Sequence, residues 1–354
     1  SDHTRPVPSH ITMPILLEEI RQGNPDADIT ILIATGFHRA TTEEELRDKY
    51  GDLIVDQEKI VVHDSRDDSS LVDLGQLPSG GDLRLNKLAI EADLLIAEGF
   101  IEPHFFAGYS GGRKSVLPGI AGKTTVLANH CSEFVGHKRA RTGMLEGNPM
   151  HKDMLYAAEK AGLEFILNVV IDEDKKVINA FAGDREKAHR KGCKFVSELA
   201  GVDSMSAEIV ITTNGGYPLD QNIYQSVKGM TAAEATCKEG GVIIIATECS
   251  DGHGGEAFYN TFKEANSPEE VMESINARGR KETIPDQWES QILARILMKF
   301  NVIMVTDAPQ AMVEDMHMNW APNMKKALEL AENMIEVDNP GITVIPDGVS
   351  VVVK

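Results

Sequence analysis

Continuous apolar runs alternate with amphipathic stretches along the whole chain. Residues 28–35 and 92–99 are apolar runs of the kind that form strands buried on both faces of a parallel sheet. Apolar residues with helical spacing mark segments such as 11–21 and 324–334. The same signals predict further helices beginning near residue 41 and at residues 121–130, 147–161, 186–199 and 223–237. They predict further strands at residues 60–63, 83–86, 165–171, 176–182, 208–213, 241–247, 301–306 and 342–345, the last of which is expected to be buried.

The alternation of strands and helices restarts near residue 200 and predicts two α/β domains. Each is expected to have a doubly wound, largely parallel sheet flanked by helices. A chain of 354 residues also exceeds what one hydrophobic core commonly serves. We predict a catalytic, cofactor-binding domain over residues 1–200 and a second α/β domain over residues 201–354 that closes over the substrate, with the active site in the cleft between them. The chain begins at Ser1 rather than Met, and we expect the first domain to lack upstream residues.

Composition and charge exclude several classes of partner. The formal charge of −20 argues against nucleic acid, which needs clustered cations, and it requires a locally basic pocket for any small anionic substrate. No run of about 18 apolar residues is present, so no membrane partner is expected, and no signal peptide is visible. The four cysteines are scattered without a C-x-x-C pair, which favours a reducing cytoplasm.

A glycine-rich stretch at residues 102–119 lies between a predicted strand and a predicted helix. This layout is typical of a site for an anionic, phosphate-bearing ligand, with Ser110-Gly111-Gly112 as a backbone cradle. Lys114 has two interpretations at this stage. It contacts water or a phosphate, or it attaches covalently to a carbonyl-bearing cofactor, because a neighbouring cation such as Arg113 lowers the pKa of an amine and favours nucleophilic chemistry.

Three histidines follow predicted strand or loop ends in the first half of the chain. These are His38, His104 and His130, and ligands of open α/β sheets bind beyond such strand ends. Two imidazoles on opposite sides of one substrate carbon suit a racemase, which needs an acid and a base on opposite faces. The other eight histidines lie in polar contexts and are assigned to the solvated surface, among them His63, His137, His151 and His189.

Other candidates are weaker or remain open. Arg5 and Lys228 are the cations best suited to bind a carboxylate. Gly122-Lys123-Thr124 matches the end of a phosphate-binding P-loop, but position 117 is Leu where that motif requires glycine, so an NTPase is disfavoured. The loop at residues 252–255 either approaches a ligand closely or is a flexible connector.

These residues together resemble a known family, the nickel-pincer lactate racemases and their 2-hydroxy acid racemase relatives. The resemblance covers most of the chain, and the long central block is its most specific part. It is carried by Ser1-Asp2-His3-Thr4-Arg5-Pro6, Thr35-Gly36-Phe37-His38-Arg39, residues 102–119, Asn129-His130, Tyr224-Gln225-Ser226-Val227-Lys228-Gly229 and Trp288.

The resemblance implies a cofactor and a role for each matching residue. The cofactor is a pyridinium mononucleotide with thioamide and thiocarboxylate arms that holds nickel through two sulfurs and a ring carbon. Lys114 would be its covalent tether and His130 the nickel ligand of the protein, with His38 and His104 as the two catalytic acid/bases. Further cofactor contacts are assigned to Asp2, Thr4, Ser110, Gly111, Gly112 and Arg113. Substrate binding is assigned to Arg5, Tyr224, Gln225, Lys228 and Trp288.

The implied activity is inversion at C2 of a small 2-hydroxy acid by hydride transfer to and from the cofactor. Lactate is the first candidate substrate, and the implied partners are the proteins that synthesise the cofactor. Two alternatives stay open from the residues alone. One is a racemase of another 2-hydroxy acid such as malate, and the other is a non-catalytic metabolite-binding relative without the cofactor.

Overall fold

The computed structural model describes all residues from Ser1 to Lys354, and they form two compact units. The first unit contains residues 1–130 and 143–198. The second contains residues 131–142 and 199–354, so a short segment inside the first half of the chain packs with the second unit. No helix is long and apolar enough to cross a membrane.

The chain alternates helices and strands as the hydrophobic pattern predicts. The helices are α1 (Ser9–Gly23), α2 (Glu43–Tyr50), α3 (Asp52–Gln57), α4 (Lys87–Ile90), α5 (Lys123–Asn129), α6 (Ser132–Val135), α7 (Pro149–Lys160), α8 (Lys187–Ala200), α9 (Ile223–Glu234), α10 (Glu256–Lys263), α11 (Pro268–Asn276), α12 (Gln287–Leu297), α13 (Gln310–Asp315) and α14 (Met324–Met334). The strands are β1 (Thr30–Ile33), β2 (Lys59–Val62), β3 (Leu71–Gln76), β4 (Asp82–Asn86), β5 (Leu95–Phe100), β6 (Pro103–His104), β7 (Gly108–Tyr109), β8 (Leu163–Ile171), β9 (Val177–Asp184), β10 (Gly201–Val202), β11 (Ala207–Thr213), β12 (Cys237–Ala246), β13 (Asn301–Val305), β14 (Asn319–Ala321), β15 (Ile342–Ile345) and β16 (Val352–Val353).

The strands of the first unit form several small sheets. β1 pairs in parallel with β2, and β5 pairs in parallel with β8. The strands predicted at residues 165–171 and 176–182 are present as β8 and β9, which pair as antiparallel neighbours. β3 with β4, and β6 with β7, form two further antiparallel pairs that the sequence pattern does not reveal.

Helix α2 begins at a capping box, close to residue 41 where the sequence predicts a helix start. The Thr42 hydroxyl accepts a hydrogen bond from the Glu45 amide at 3.3 Å, and the Glu45 carboxylate accepts one from the Thr42 amide at 2.8 Å. The two bonds satisfy donors that a helix start otherwise leaves unpaired. They therefore fix the end of the connection between β1 and α2. His38 lies in this connection.

The second unit contains one fully parallel sheet of five strands in the order β14-β13-β12-β11-β15. The central strands are buried on both faces, which explains their continuous apolar sequences. The prediction that residues 342–345 form a buried strand is wrong. Strand β15 pairs only with β11, and as an edge strand it leaves Ile342 50% and Val344 59% exposed.

Three histidines that we assigned to the solvated surface are buried, so that assignment is wrong for them. His63, His151 and His189 are each less than 5% exposed. His63 donates from Nε2 to the carbonyl of Ala121 at 3.1 Å, while Asn86 donates to its Nδ1 at 3.1 Å. A ring with fixed polar partners on both nitrogens is compatible with burial, and such partners are not visible in local sequence.

Candidate active site

His38 lies just after β1 and is bonded to a buried carboxylate. Its Nδ1 donates to Oδ2 of Asp2 at 2.6 Å. The Thr4 hydroxyl donates to the other carboxylate oxygen of Asp2 at 2.8 Å. Burial disfavours the charged form of Asp2, but the hydrogen bond and charge of His38 prevail and hold the pKa of Asp2 below its usual value. With its proton directed to Asp2, the half-exposed His38 ring presents Nε2 as the atom able to exchange protons.

Arg5 lies in the same segment as Asp2. Its positive charge contributes to the lowered pKa of Asp2. The Lys49 ammonium from α2 donates to the backbone carbonyls of Arg5 at 2.7 Å and Val7 at 3.3 Å, which holds the segment against the helix. The structure thus brings three predicted residues together, namely Asp2, Arg5 and His38.

His104 and Lys114 are also brought together. His104 ends β6, and the tight β6–β7 turn directs the amide of Ala107 at its Nδ1, with an N–N distance of 3.3 Å. The other ring nitrogen, Nε2, lies 3.0 Å from Nζ of Lys114, which stands in the short 3₁₀ helix Gly112–Ser115. Phe105 stacks on the His104 ring with a centroid distance of 5.0 Å. Ring orientation is therefore set by the loop itself.

His130 is buried at the end of α5 and has the properties of a metal ligand. Its Nδ1 donates to the carbonyl of Val126 at 2.9 Å, so the lone pair of the neutral ring lies on Nε2. Burial and then the nearby charge of Lys114 lower the pKa of His130 to about 3. A histidine must be neutral to bind a metal, and this one is neutral over the working range of an enzyme.

The donor set fits a metal that brings its other ligands with it. No group of three or more His, Cys, Asp or Glu side chains is placed to hold a metal ion. His130 supplies one neutral imidazole. The amine of Lys114 is close enough for its charge to lower the pKa of that ring. This arrangement matches the cofactor implied by the resemblance, in which the protein supplies one ligand and the nucleotide supplies the rest.

Arg113 forms the internal scaffold of the loop between His104 and Lys114. Its guanidinium is fully buried and donates to the carbonyls of Ala107 and Tyr109, both at 2.7 Å. Nε of Arg113 donates to Nδ1 of His151 at 3.0 Å. Burial lowers the pKa of Arg113 to about 10. These donors act within the protein, and the predicted contact of Arg113 with a cofactor remains a prediction.

His151 and His189 are loop-supporting residues that the sequence did not reveal. His189 donates from Nε2 to the carbonyl of Ser110 at 2.8 Å. Burial, together with the charge of Arg113, lowers the pKa of both imidazoles, that of His151 to about 3. Both rings are neutral, so each accepts or donates hydrogen bonds beside the buried guanidinium without adding charge. The only sequence feature that could have indicated their burial is their position on the inner faces of α7 and α8.

The predicted cradle residues are packed closely against β5 and β8. The Ser110 hydroxyl donates to the carbonyl of Phe100 at 3.1 Å, and the Gly112 amide donates to Asn168 at 2.8 Å. Gly111 has φ +73°, and a Cβ there would lie 2.7 Å from the Phe100 carbonyl oxygen. Glycine is required by this approach. Contact of these residues with a phosphate remains a prediction.

Four of the five predicted substrate-binding residues, all except Arg5, lie in the second unit. Helix α9 carries Tyr224, Gln225 and Lys228, and the Lys228 ammonium donates to the amide oxygen of Gln225. The Tyr224 hydroxyl donates to Oδ1 of Asp286 at 3.1 Å and is hydrogen-bonded by Trp288 at the start of α12. Burial raises the pKa of Tyr224 well above its usual value. The four predicted residues of this unit therefore form two bonded pairs, Lys228 with Gln225 and Trp288 with Tyr224.

Comparison with known proteins identifies the family and the fold. Residues 1–143 match the family model of the lactate racemase N-terminal domain, and residues 202–353 match that of the lactate racemase C-terminal domain. The chain is 64% identical to the lactate racemase of Thermoanaerobacterium thermosaccharolyticum over 100% of its own length and 83% of that protein. It is 58% identical to the lactate racemase of Lactiplantibacillus plantarum, covering 100% of its own length and 84% of that protein.

Solved structures show the same relationship. The lactate racemase apoprotein from T. thermosaccharolyticum has a TM-score of 0.98 and 64% identity, with 100% of this chain and 85% of that chain covered. A protein from Thermotoga maritima has a TM-score of 0.73 at 20% identity, with 100% and 92% covered, and shares the fold.

The fold and the curated relatives define an α/β enzyme of the isomerase class, and the predicted fold class is confirmed. The chain belongs to the lactate racemase family. The family suggested by the sequence motifs is therefore confirmed.

Proposed function

We propose that this chain interconverts the two enantiomers of lactate and that a nickel-pincer nucleotide bound to the first unit serves as its cofactor. The observation that supports this proposal is the arrangement of three histidines and one lysine in the first unit. Two imidazoles have defined partners at Nδ1, a lysine amine lies 3.0 Å from one of them, and a third imidazole is neutral. The curated relatives named lactate racemase, at 64% and 58% identity, support lactate as the substrate.

His38 and His104 move the hydroxyl proton in this proposal. Loss of the C2 hydrogen as hydride becomes easier when a base removes the hydroxyl proton at the same time. Nε2 of one histidine would take that proton from the hydroxyl oxygen, and the other histidine would give a proton back to the same oxygen. The centre would invert because hydride returns to the opposite face of the planar C2 carbon. Asp2 accepts the Nδ1 proton of His38 and keeps Nε2 available for this exchange. The backbone amide of Ala107 instead donates to Nδ1 of His104, which leaves the proton of that neutral ring on Nε2, where it can be given to the oxygen.

The cofactor, when bound, supplies a carbon that accepts and returns hydride, with nickel tuning its reactivity. Lys114 would hold it covalently, and His130 would bind the nickel through Nε2. The nitrogen of a neutral imidazole suits nickel beside sulfur ligands. Asp2, Thr4 and the Ser110-to-Arg113 loop would complete its binding site.

Substrate orientation is assigned to two cations and to hydrogen-bonding side chains. Arg5 and Lys228 would bind the carboxylate, and Gln225 would hold Lys228 in place through the bond seen in α9. Tyr224 and Trp288 would line the pocket. We also propose a cytoplasmic location, which the four free cysteines support, and the need for maturation proteins that build the cofactor.

One experiment tests the proposal. The chain is produced together with the cofactor-synthesis proteins, its intact mass is measured, and racemisation is assayed on D- and L-forms of lactate, malate and longer 2-hydroxy acids. We expect a mass adduct on Lys114 and the fastest turnover with lactate. The Lys114→Ala variant should lose both the mass adduct and the racemase activity. Lys123 is an exposed lysine of α5, and the Lys123→Ala variant should keep both properties.

Each other result has a defined meaning. Faster turnover of malate or a longer acid would keep the chemistry and replace the substrate. An adduct-free protein without racemase activity under these conditions would contradict the proposal and favour a non-catalytic metabolite-binding relative.

A further inference from the structure

The glycine-rich loop between β12 and α10 packs on the start of α9, the helix that carries the predicted substrate residues. The carbonyl of Gly252 accepts a hydrogen bond from the Ile223 amide at 3.0 Å. The carbonyl of His253 accepts one from the Tyr224 amide at 3.2 Å. This loop, defined here as residues 252–255, therefore pairs two of the amides that a helix start leaves unpaired.

A third amide of the same turn is also paired. The side chain of Asn222, the N-cap residue of α9, accepts from the Gln225 amide at 2.9 Å. With these amides occupied, the first turn of α9 is not an anion-binding helix terminus. A substrate carboxylate must then be bound by side chains, and their positions depend on how the loop and the cap hold the turn.

Gly254 permits this close approach. A Cβ at Gly254 would lie 2.5 Å from Cγ and 2.6 Å from Oδ1 of Asn222, distances at which atoms overlap. The backbone there has φ +84°, which glycine adopts freely. The neighbouring Gly255 differs, because its Cβ would meet nothing closer than 3.9 Å and its φ of 174° suits any residue.

Side chains anchor both ends of the contact. The His253 ring stacks on Tyr259 of α10 at a centroid distance of 4.8 Å and accepts from the Gly255 amide at 3.0 Å. Phe258 of α10 packs edge-on against the Tyr224 ring at 5.2 Å. The loop, α10 and the start of α9 thus form one packed group around Tyr224.

We propose that the residue 252–255 loop positions the substrate-binding turn of α9, with Gly254 and Asn222 as positioning residues that act through Tyr224 and Gln225. The inference rests on the proposed function, since it assigns the loop a part in binding a 2-hydroxy acid. It gives a role to a glycine-rich segment for which the sequence alone allows two interpretations, a loop that approaches a ligand and a flexible connector.

The test compares Gly254→Ala with its matched control Gly255→Ala in the loaded enzyme. We expect Gly254→Ala to raise KM for lactate about tenfold, which corresponds to one displaced hydrogen-bonding group, while kcat changes less than threefold. Gly255→Ala should leave both constants unchanged. Adding Asn222→Ser to Gly254→Ala shortens the clashing side chain but keeps a capping hydroxyl, and it should bring KM back toward the wild-type value.

A second readout needs neither cofactor nor substrate. Trp288 hydrogen-bonds Tyr224, and Trp320 is the only other tryptophan. In a Trp320→Phe background, Gly254→Ala should shift the emission of Trp288, and Gly255→Ala should not. This readout tests the loop even if the wild-type enzyme fails to racemise lactate.

Two outcomes overturn the inference. One is an unchanged KM in folded Gly254→Ala protein, and the other is an emission spectrum that does not shift. Should Gly254→Ala fail to fold, His253→Leu removes the stacking and the bond to Gly255 without adding an atom near Asn222. A wild-type KM in that variant would likewise overturn the inference.

Discussion

The predicted catalytic group of the first unit and the predicted substrate group of the second are held in different ways. His38, His104 and His130 each have a ring nitrogen fixed by a carboxylate or a backbone group. Arg113, which supports the loop between His104 and Lys114, is wholly buried. The substrate group instead stands on the regular helices α9 and α12. Proton and metal chemistry requires defined protonation states, which need fixed partners, whereas anchoring a carboxylate requires mainly position.

The comparison predicts that changes in the first unit act mainly on kcat and that changes in the second act mainly on KM. The largest effect is expected for the two histidines. His38→Ala and His104→Ala should each lower kcat by about 10²–10⁴-fold, the usual contribution of a general acid or base. Steady-state kinetics in both directions measure this, with the exposed His10→Ala as control. Wild-type rates in both variants would refute the two-base mechanism.

A smaller effect is expected for Asp2→Asn. The amide keeps the size of the side chain but loses the charge that holds the Nδ1 proton of His38. We expect kcat to fall by about 10–100-fold, as for other residues that orient a catalytic group, with little change in KM. Asp26→Asn, at an exposed position, is the control. If KM rises and kcat stays constant, Asp2 serves the substrate rather than His38.

Lys228→Gln tests the substrate group. Removal of one charged hydrogen bond to a carboxylate should raise KM by at least about tenfold, because such a bond contributes about 1.5–3 kcal/mol. The turnover number should change little. Initial rates over a range of lactate concentrations give both constants, and Lys325→Gln on the exposed side of α14 is the control. A fall in kcat at constant KM would contradict the prediction that changes in the second unit act mainly on KM.

The smallest effect concerns stability in the second unit. Burial raises the pKa of Glu289 to about 8, with Lys228 opposing the shift and Asp286 adding to it. Because this pKa exceeds the ordinary value of 4.5, wild-type stability falls as the pH rises from about 4.5 to about 8. Glu289→Gln lacks this titration, so its Tm should exceed that of the wild type at pH 8, on the order of 5 °C, and approach it at pH 5.

Calorimetry at the two pH values measures the difference for Glu289→Gln, with the exposed Glu332→Gln as control. A Tm below that of the wild type at pH 8 would show instead that Glu289 is ionised and stabilises Lys228.

Much of the fold followed from local pattern. The apolar runs predicted β1, β5, β11, β12 and β13, and a helix was predicted to begin near residue 41, close to the start of α2 at Glu43. Such features depend on residues close in sequence, so propensity and periodicity reveal them. Strand β15 was misjudged because an edge strand and a central strand have the same apolar residues.

The sequence by itself determined the α/β alternation, the family motifs and the residue types that carry the proposed chemistry. Only the tertiary structure determined which of these residues contact one another. The bond of His38 to Asp2 spans 36 positions, and that of Arg113 to His151 spans 38. It also decided that His63, His151 and His189 are buried. Protonation state depends on burial and on charges from distant segments, and these quantities exist only once the chain has folded.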